Sequence, residues 1–254
     1  MSVGEAHVGP LPQWDGQVTR LLVTEKDELG LYRPVGFLDA VDCGEEVAYR
    51  FAYLEAATRR PSFRPLLGFR DATRPYESAG LFPLFAERIM DPRRPDRPMY
   101  LAALDLEDEA TPLEVLARSG GQRAGDGILL TPVPHVDGNG RTSCVFLVHG
   151  IRHLLGATER VDSLRPGDRL RITPEPANPV NPRALLVTED GNRPLGWVPD
   201  ALLDYVHEVQ DGTLTVVRVN PREVGTRLRL LVRLEGVASP DWQPFTGPNW
   251  STVG

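Results

Sequence analysis

The chain is almost without lysine. Among its 254 residues Lys26 stands alone, and every other cation is an arginine. A planar guanidinium fork suits phosphate and carboxylate oxygens better than an ammonium does, so what positive charge exists is of the kind that grips oxyanions. There is not much of it. The 28 Lys and Arg face 35 Asp and Glu, for a net charge of −7. Residues 1–140 carry 15 cations against 22 acids, and residues 141–235 carry 13 against 12. Neither half binds polyanions by bulk charge, so nucleic acid could be held only by a local patch.

Cysteine is nearly absent as well. Cys43 and Cys144 are far apart and neither belongs to a CxxC pair, which argues against a disulfide framework or a zinc site. No apolar run approaches the ~18 residues of a membrane span. The opening MSVGEAHVGPLPQWDG has no basic segment followed by an apolar one, so the expectation is a cytoplasmic protein without membrane contact. The chain has no GxxxxGK[ST] loop for nucleotide phosphates, no HExxH and no EF-hand spacing. Asp137-Gly138-Asn139-Gly140 lacks the later glutamate of a calcium loop and reads as a turn. His149 and His153 are four apart, but on a strand end rather than a helix. Cys144 sits in the apolar run SCVFLV, where a thiol is inert rather than nucleophilic. The expectation is therefore no catalytic residues, no metal, no cofactor and no enzyme activity.

What is present is a set of local patterns. Residues 18–24 (VTRLLVT) and 46–57 (EVAYRFAYLEAA) alternate as strands, the latter with Tyr49, Phe51 and Tyr53 on one face. Residues 30–40 turn at Pro34 into a short strand. Residues 81–90 (LFPLFAERIM) space Leu81, Leu84, Phe85 and Ile89 as a short amphipathic helix. Arg93, Arg94 and Arg97 mark a proline-broken connector. Pro112–Ser119 reads as a helix stopped by Gly120 and Gly121. Composition then shifts to turn residues, which puts a domain boundary near Asn139. Beyond it come strands at 143–149, 169–172, 184–188, 195–198, 213–219 and 226–232, and a helix at 201–209. The expected class is α+β: a mixed β-rich module with short helices over 1–138, a β-barrel over 139–236, and an irregular tail over 237–254.

Between 143 and 234 the order of pieces is specific. A strand ends in Gly150-Ile151-Arg152-His153. Leu164-Arg165-Pro166-Gly167-Asp168 leads into the next strand. The run Asn178-Pro179-Val180-Asn181-Pro182-Arg183-Ala184 precedes an apolar strand, and Leu195-Gly196-Trp197-Val198-Pro199 leads into a helix. This succession resembles the HIRAN family. The resemblance implies an OB-like barrel that grips single-stranded DNA or its 3′ end. It implies Arg152 and Arg183 on phosphates, His153 and Trp197 as stacking groups, and Asn178 and Asn181 as hydrogen-bonding groups for the terminal sugar or base. Val180 stands where the family places an end-gripping aromatic. Asn181 replaces an acid, His153 a tyrosine, and Asp200 a basic residue.

Residues 17–106 carry a second pattern: Gly36-Phe37-Leu38, Tyr49 to Leu54, Pro65 to Phe69, Tyr76-Glu77-Ser78 and Leu81 to Ala86. It is similar to the N-terminal subdomain of HipA-type toxin kinases, with no kinase body following. That resemblance implies a toxin–antitoxin or defence-type interaction factor that docks a kinase-like protein, with Phe69, Phe82 and Phe85 facing it. Oligomeric state is not legible in the sequence.

Overall fold

The computed structural model describes residues 19–28, 30–42, 47–123 and 125–254. Cys43, Glu46 and the N-terminal stretch through Val18 lie outside them. The described residues form two antiparallel sheets with few, short helices.

The first sheet holds β1 (Arg20–Lys26), β2 (Tyr32–Asp42), β3 (Val47–Tyr53), β4 (Tyr76–Ser78) and β5 (Ile128–Pro132), in the order β4-β3-β2-β1-β5. Leu21 pairs with Leu38, and Leu38 with Phe51. One face packs Leu21, Val23, Leu38, Phe51 and Tyr53 against Phe69, Phe85, Leu113 and Leu116. The opposite face packs Leu22 and Phe37 with Leu54, Ala57, Phe245 and Trp250. Both faces are covered, so Leu21-Leu22-Val23 is buried throughout instead of alternating. The cover on the second face comes from the C-terminal segment. Thr252 bridges Leu54, the Val253 N–H donates to the Tyr53 carbonyl at 2.9 Å, and the Trp250 ring lies 6.2 Å from that of Phe37. The stretch expected as an irregular tail is thus fastened to the first sheet.

Among the described residues α1 (Glu55–Thr58), α2 (Pro83–Ala86) and α4 (Pro112–Ser119) cover this sheet, and α3 (Arg97–Ala103) packs Leu101 on Val115 of α4. α4 starts on a capping box, with Thr111 N–H donating to Glu114 Oε2 at 2.7 Å and Glu114 N–H to Thr111 Oγ1 at 3.3 Å. Gly120, at φ 69°, ends it in the left-handed region. α2 is shorter than the helix expected over 81–90. The Arg88 and Ile89 N–H groups turn back to Phe85 and Ala86, three residues earlier, and the buried Arg88 guanidinium is drawn to the Gly121 carbonyl and to Asp126. α3 begins inside the stretch read as a connector, and Arg94 there pairs with Asp96.

The second sheet holds β6 (His135–Val136), β7 (Arg141–Leu147), β8 (Arg169–Pro174), β9 (Leu185–Glu189), β10 (Arg193–Trp197), β11 (Gln210–Val219) and β12 (Leu230–Val237), in the order β10-β9-β8-β11-β12-β7-β6. β6 pairs with β7, so this sheet takes in residues before 139. Helices α5 (Ala157–Ser163) and α6 (Leu203–Glu208) pack on a core that includes Phe146, Val161, Val187, Leu195, Tyr205 and Val232. The sequence reading had no helix at α5. Just past β7, His149 forms an isolated bridge to Trp197 of β10, the strand at the other end of the sheet order. A buried hydrogen bond from Asn220 Nδ2 to the Ala103 carbonyl, 2.7 Å, ties the second sheet's loops to the first module. No helix among the described residues is long and apolar enough to cross a membrane.

Candidate nucleic-acid interface

The loop between β8 and β9 is built from its own asparagines. Asn178 Oδ1 accepts from the N–H groups of Val180 and Asn181, both at 3.0 Å, and Asn181 Oδ1 accepts from the Arg183 N–H at 3.0 Å. This is the side-chain-to-backbone turn chemistry that Asn-Pro pairs favour. The amide nitrogens are engaged too: Asn178 Nδ2 donates to Glu175 Oε2 at 2.6 Å, and Asn181 Nδ2 to Asp200 Oδ1 at 3.1 Å. Asn178 and Asn181, expected to meet a terminal sugar or base, therefore shape the turn. What the turn offers outward is Val180, 66% exposed at its tip, and Arg183. Arg183 pairs with Asp204 at 2.5 Å with both side chains 58% exposed. A pair that wet contributes little and exchanges readily.

Trp197 connects this turn to a second one. Its Nε1–H donates to the same Glu175 Oε2 that holds Asn178, at 2.7 Å. The ring lies so close to Gly150 that a Cβ there would sit 2.5 Å from Cε3, and Gly150 has φ 72°. Only glycine meets both demands at once. The backbones of His149 and Trp197 exchange two hydrogen bonds, each 2.9 Å. Gly196 permits that approach, since a Cβ on it would lie 2.4 Å from the His149 carbonyl oxygen. From Gly150 the chain makes one 3-10 turn, Ile151–His153, anchored by the buried Ile151. Arg152 and His153 are exposed on it, and Arg152 Nε donates to His153 Nε2 at 3.1 Å.

Two groups beside the rim have shifted titration. Burial pulls the His149 imidazole down to about 4; Asp200 works against this and Arg227 with it. Burial pushes the Cys144 thiol up to about 12, against the pull of Arg118. A buried neutral thiol is a poor nucleophile. No group of three or more His, Cys, Asp or Glu is arranged to hold a metal among the described residues.

Arg152, His153 and Trp197 are thus brought to one rim, with Val180 and Arg183 on the adjoining turn. Phe69, Phe82 and Phe85 go elsewhere. Phe69 and Phe85 are 2% and 0% exposed and pack with Phe51, with ring centroids 4.5 and 5.7 Å away, and Phe82 leans on Phe69 at 5.1 Å. This corrects the expectation that they face a partner: Phe69 and Phe85 belong to the core of the first module, and the half-buried Phe82 packs against it. Sequence reasoning missed Glu175, which fixes both Trp197 and Asn178. It also missed Gly150 and Gly196 as the points of close approach. A glycine inside the apolar run Leu195-Gly196-Trp197-Val198 was the available signal.

Fold and rim define a β-rich chain whose second sheet presents an aromatic, arginine and histidine between two tight turns. No protein-family model matches the chain, and no curated protein matches it. Among solved structures it is similar to a protein from Lactobacillus plantarum, at 16% identity and TM-score 0.32, over 39% of this chain and 100% of that one. It is also similar to the HIRAN domain of human HLTF, at 15% identity and TM-score 0.29, over 38% of this chain and 75% of that one. The chain resembles a HIRAN domain in sequence pattern and has a HIRAN domain among its structural neighbours. At these TM-scores neither likeness carries the functional reading, which rests on the rim's own residues.

Proposed function

We propose that this chain is a non-catalytic binding protein that takes single-stranded nucleic acid, or its 3′ end, on the rim of the second sheet. The observation that supports this most is the setting of Trp197. It is held at Nε1 by Glu175 and seated on Gly150, between the Arg152–His153 turn and the turn bearing Val180 and Arg183. Single-strand binders combine an aromatic stacking surface with local cations. An aromatic whose orientation is fixed beforehand loses little freedom on stacking. The second sheet is read here as an OB-like barrel, and the His149–Trp197 bridge between its two ends supports that reading. The two units are read with the boundary expected near 139 moved to before β6, which pairs in the second sheet, and with the C-terminal segment returning to the first. Docking of a protein through Phe69 and Phe85 has no surface to use, since both are buried.

The test is fluorescence anisotropy of labelled single-stranded DNA with a free or a blocked 3′ end, against wild type and Arg152→Ala at two salt concentrations. Binding that weakens with salt, with blocking and in the variant is expected. No binding at low salt overturns the reading.

A further inference from the structure

Lys26 ends β1, Arg118 lies in the last turn of α4, Arg152 follows β7 and Arg227 precedes β12. Far apart in sequence, all four line one cleft of about 200 Å³ between the first sheet and the rim. His149 and His153 line it too, and among the described residues no aspartate or glutamate does. In a chain of net charge −7 this is a pronounced local reversal of sign. Several arginines elsewhere are matched with acids, as Arg20 is with Asp39, Arg88 with Asp126, Arg183 with Asp204 and Arg229 with Asp162. The four cleft cations have no carboxylate partner within ion-pair distance among the described residues, and Arg152 reaches only His153.

Arg118 makes the case stronger. Its Nη1 is buried with no hydrogen-bond partner. Burial pulls the guanidinium's pKa down, Asp105 opposes this and Arg233 adds to it. A buried donor without an acceptor is an unfavourable state that a bound oxyanion would relieve. Lys26 and Arg227 are exposed residues that line the same cleft.

We propose that this cleft is a phosphate-binding site, and that it holds the backbone of the strand whose base lies on Trp197. The second half of that statement rests on the function proposed above, and the first half does not. The first sheet then becomes part of the interface, supplying phosphate contacts that fix position without reading sequence. Arg152 joins the two parts, since it belongs to both the rim turn and the cleft.

The only lysine of the chain provides the readout. Acetylation by an N-hydroxysuccinimide ester, followed by mass spectrometry, reports on Lys26 alone among side chains. Two probes are used, an oligothymidylate and pyrophosphate, each against sodium chloride of equal ionic strength. Each probe at ten times its Kd slows Lys26 acetylation by about tenfold. Lys26→Ala and Arg227→Ala change exposed side chains and leave the fold intact. Each lowers the slope of log K against log salt for the oligothymidylate by about 0.7. Arg227→Ala also weakens protection of Lys26 by pyrophosphate. DNA binding with Lys26 fully reactive and both slopes unchanged overturns the proposal and leaves the rim reading standing. Protection by pyrophosphate without any DNA binding overturns the rim reading and leaves the cleft as a phosphate site. Protection by neither probe overturns the cleft outright.

Discussion

Adding one methyl group at Gly196 probes the contact on which the candidate interface depends. A Cβ there would meet the His149 carbonyl oxygen at 2.4 Å and Val148 Cγ1 at 2.5 Å. Neither can yield cheaply: Val148 is 1% exposed in the core, and the His149 carbonyl accepts the Trp197 N–H at 2.9 Å. Overpacking of this kind costs about 1–3 kcal/mol. Parting the two bridge hydrogen bonds adds roughly 0.5–1.5 kcal/mol each. Gly196→Ala is expected to lose about 3 kcal/mol, read as a lower urea midpoint at unchanged m-value. Gly138→Ala is the control, because nothing lies within 4 Å of a Cβ there and its φ is not positive; it should stay within about 0.5 kcal/mol of wild type. Single-stranded DNA affinity should fall with Gly196→Ala even where the protein is still folded, since Trp197 and the Gly150 turn separate. A Gly196→Ala protein as stable as the control would refute the argument that close approach at Gly196 holds the sheet ends together.

Three further outcomes follow from the same site. The folded-state pKa of His149, about 4, lies below the ordinary value of 6.5, so the unfolded chain binds the extra proton first. Its contribution is complete above pH 6.5 and is lost as pH falls toward 4. Between pH 7 and 5 wild type should lose about 1–2 kcal/mol more than His149→Gln in urea titrations, and equal losses would contradict the shift. With Cys43 replaced by serine, Cys144 should ignore a disulfide reagent at pH 8 until urea unfolds the chain, since a thiol near pKa 12 holds about a thousandth of the thiolate of an ordinary one; rapid native labelling would show the thiol is accessible and ionised. Asp200 is exposed and joined to Asn181 beside the rim, so Asp200→Asn should tighten single-stranded DNA binding about threefold at low salt and less at high salt. No gain at low salt would place the phosphates away from this turn.

Local signals in the sequence held where short-range physics decides. Thr111, Pro112, Glu114 and Gly120 specify the start and stop of α4 through groups at most a few residues apart. Asn178 and Asn181 specify the turn that their own side chains close. The aromatic alternation of Tyr49, Phe51 and Tyr53 specifies one face of β3, and all three enter one core. The order of strands after β7 was legible because turn residues separate them.

Tertiary structure decided the rest, because the deciding contacts are between residues distant in the chain. Nothing local to Phe69 or Phe85 says whether an aromatic faces a partner or a core; their packing on Phe51 of β3 settles it. Helical spacing over 81–90 was real, but Arg88 is pulled to Asp126 and the helix stops at Ala86. Trp197 reads equally as core or stacking platform until Glu175 and Gly150 are seen on either side of it. Lys26, Arg118 and Arg227 each look like a solvated charge in the sequence. Charge acts through space, so only the packing of β1 and α4 against the loops around β7 and β12 could gather them into one cleft.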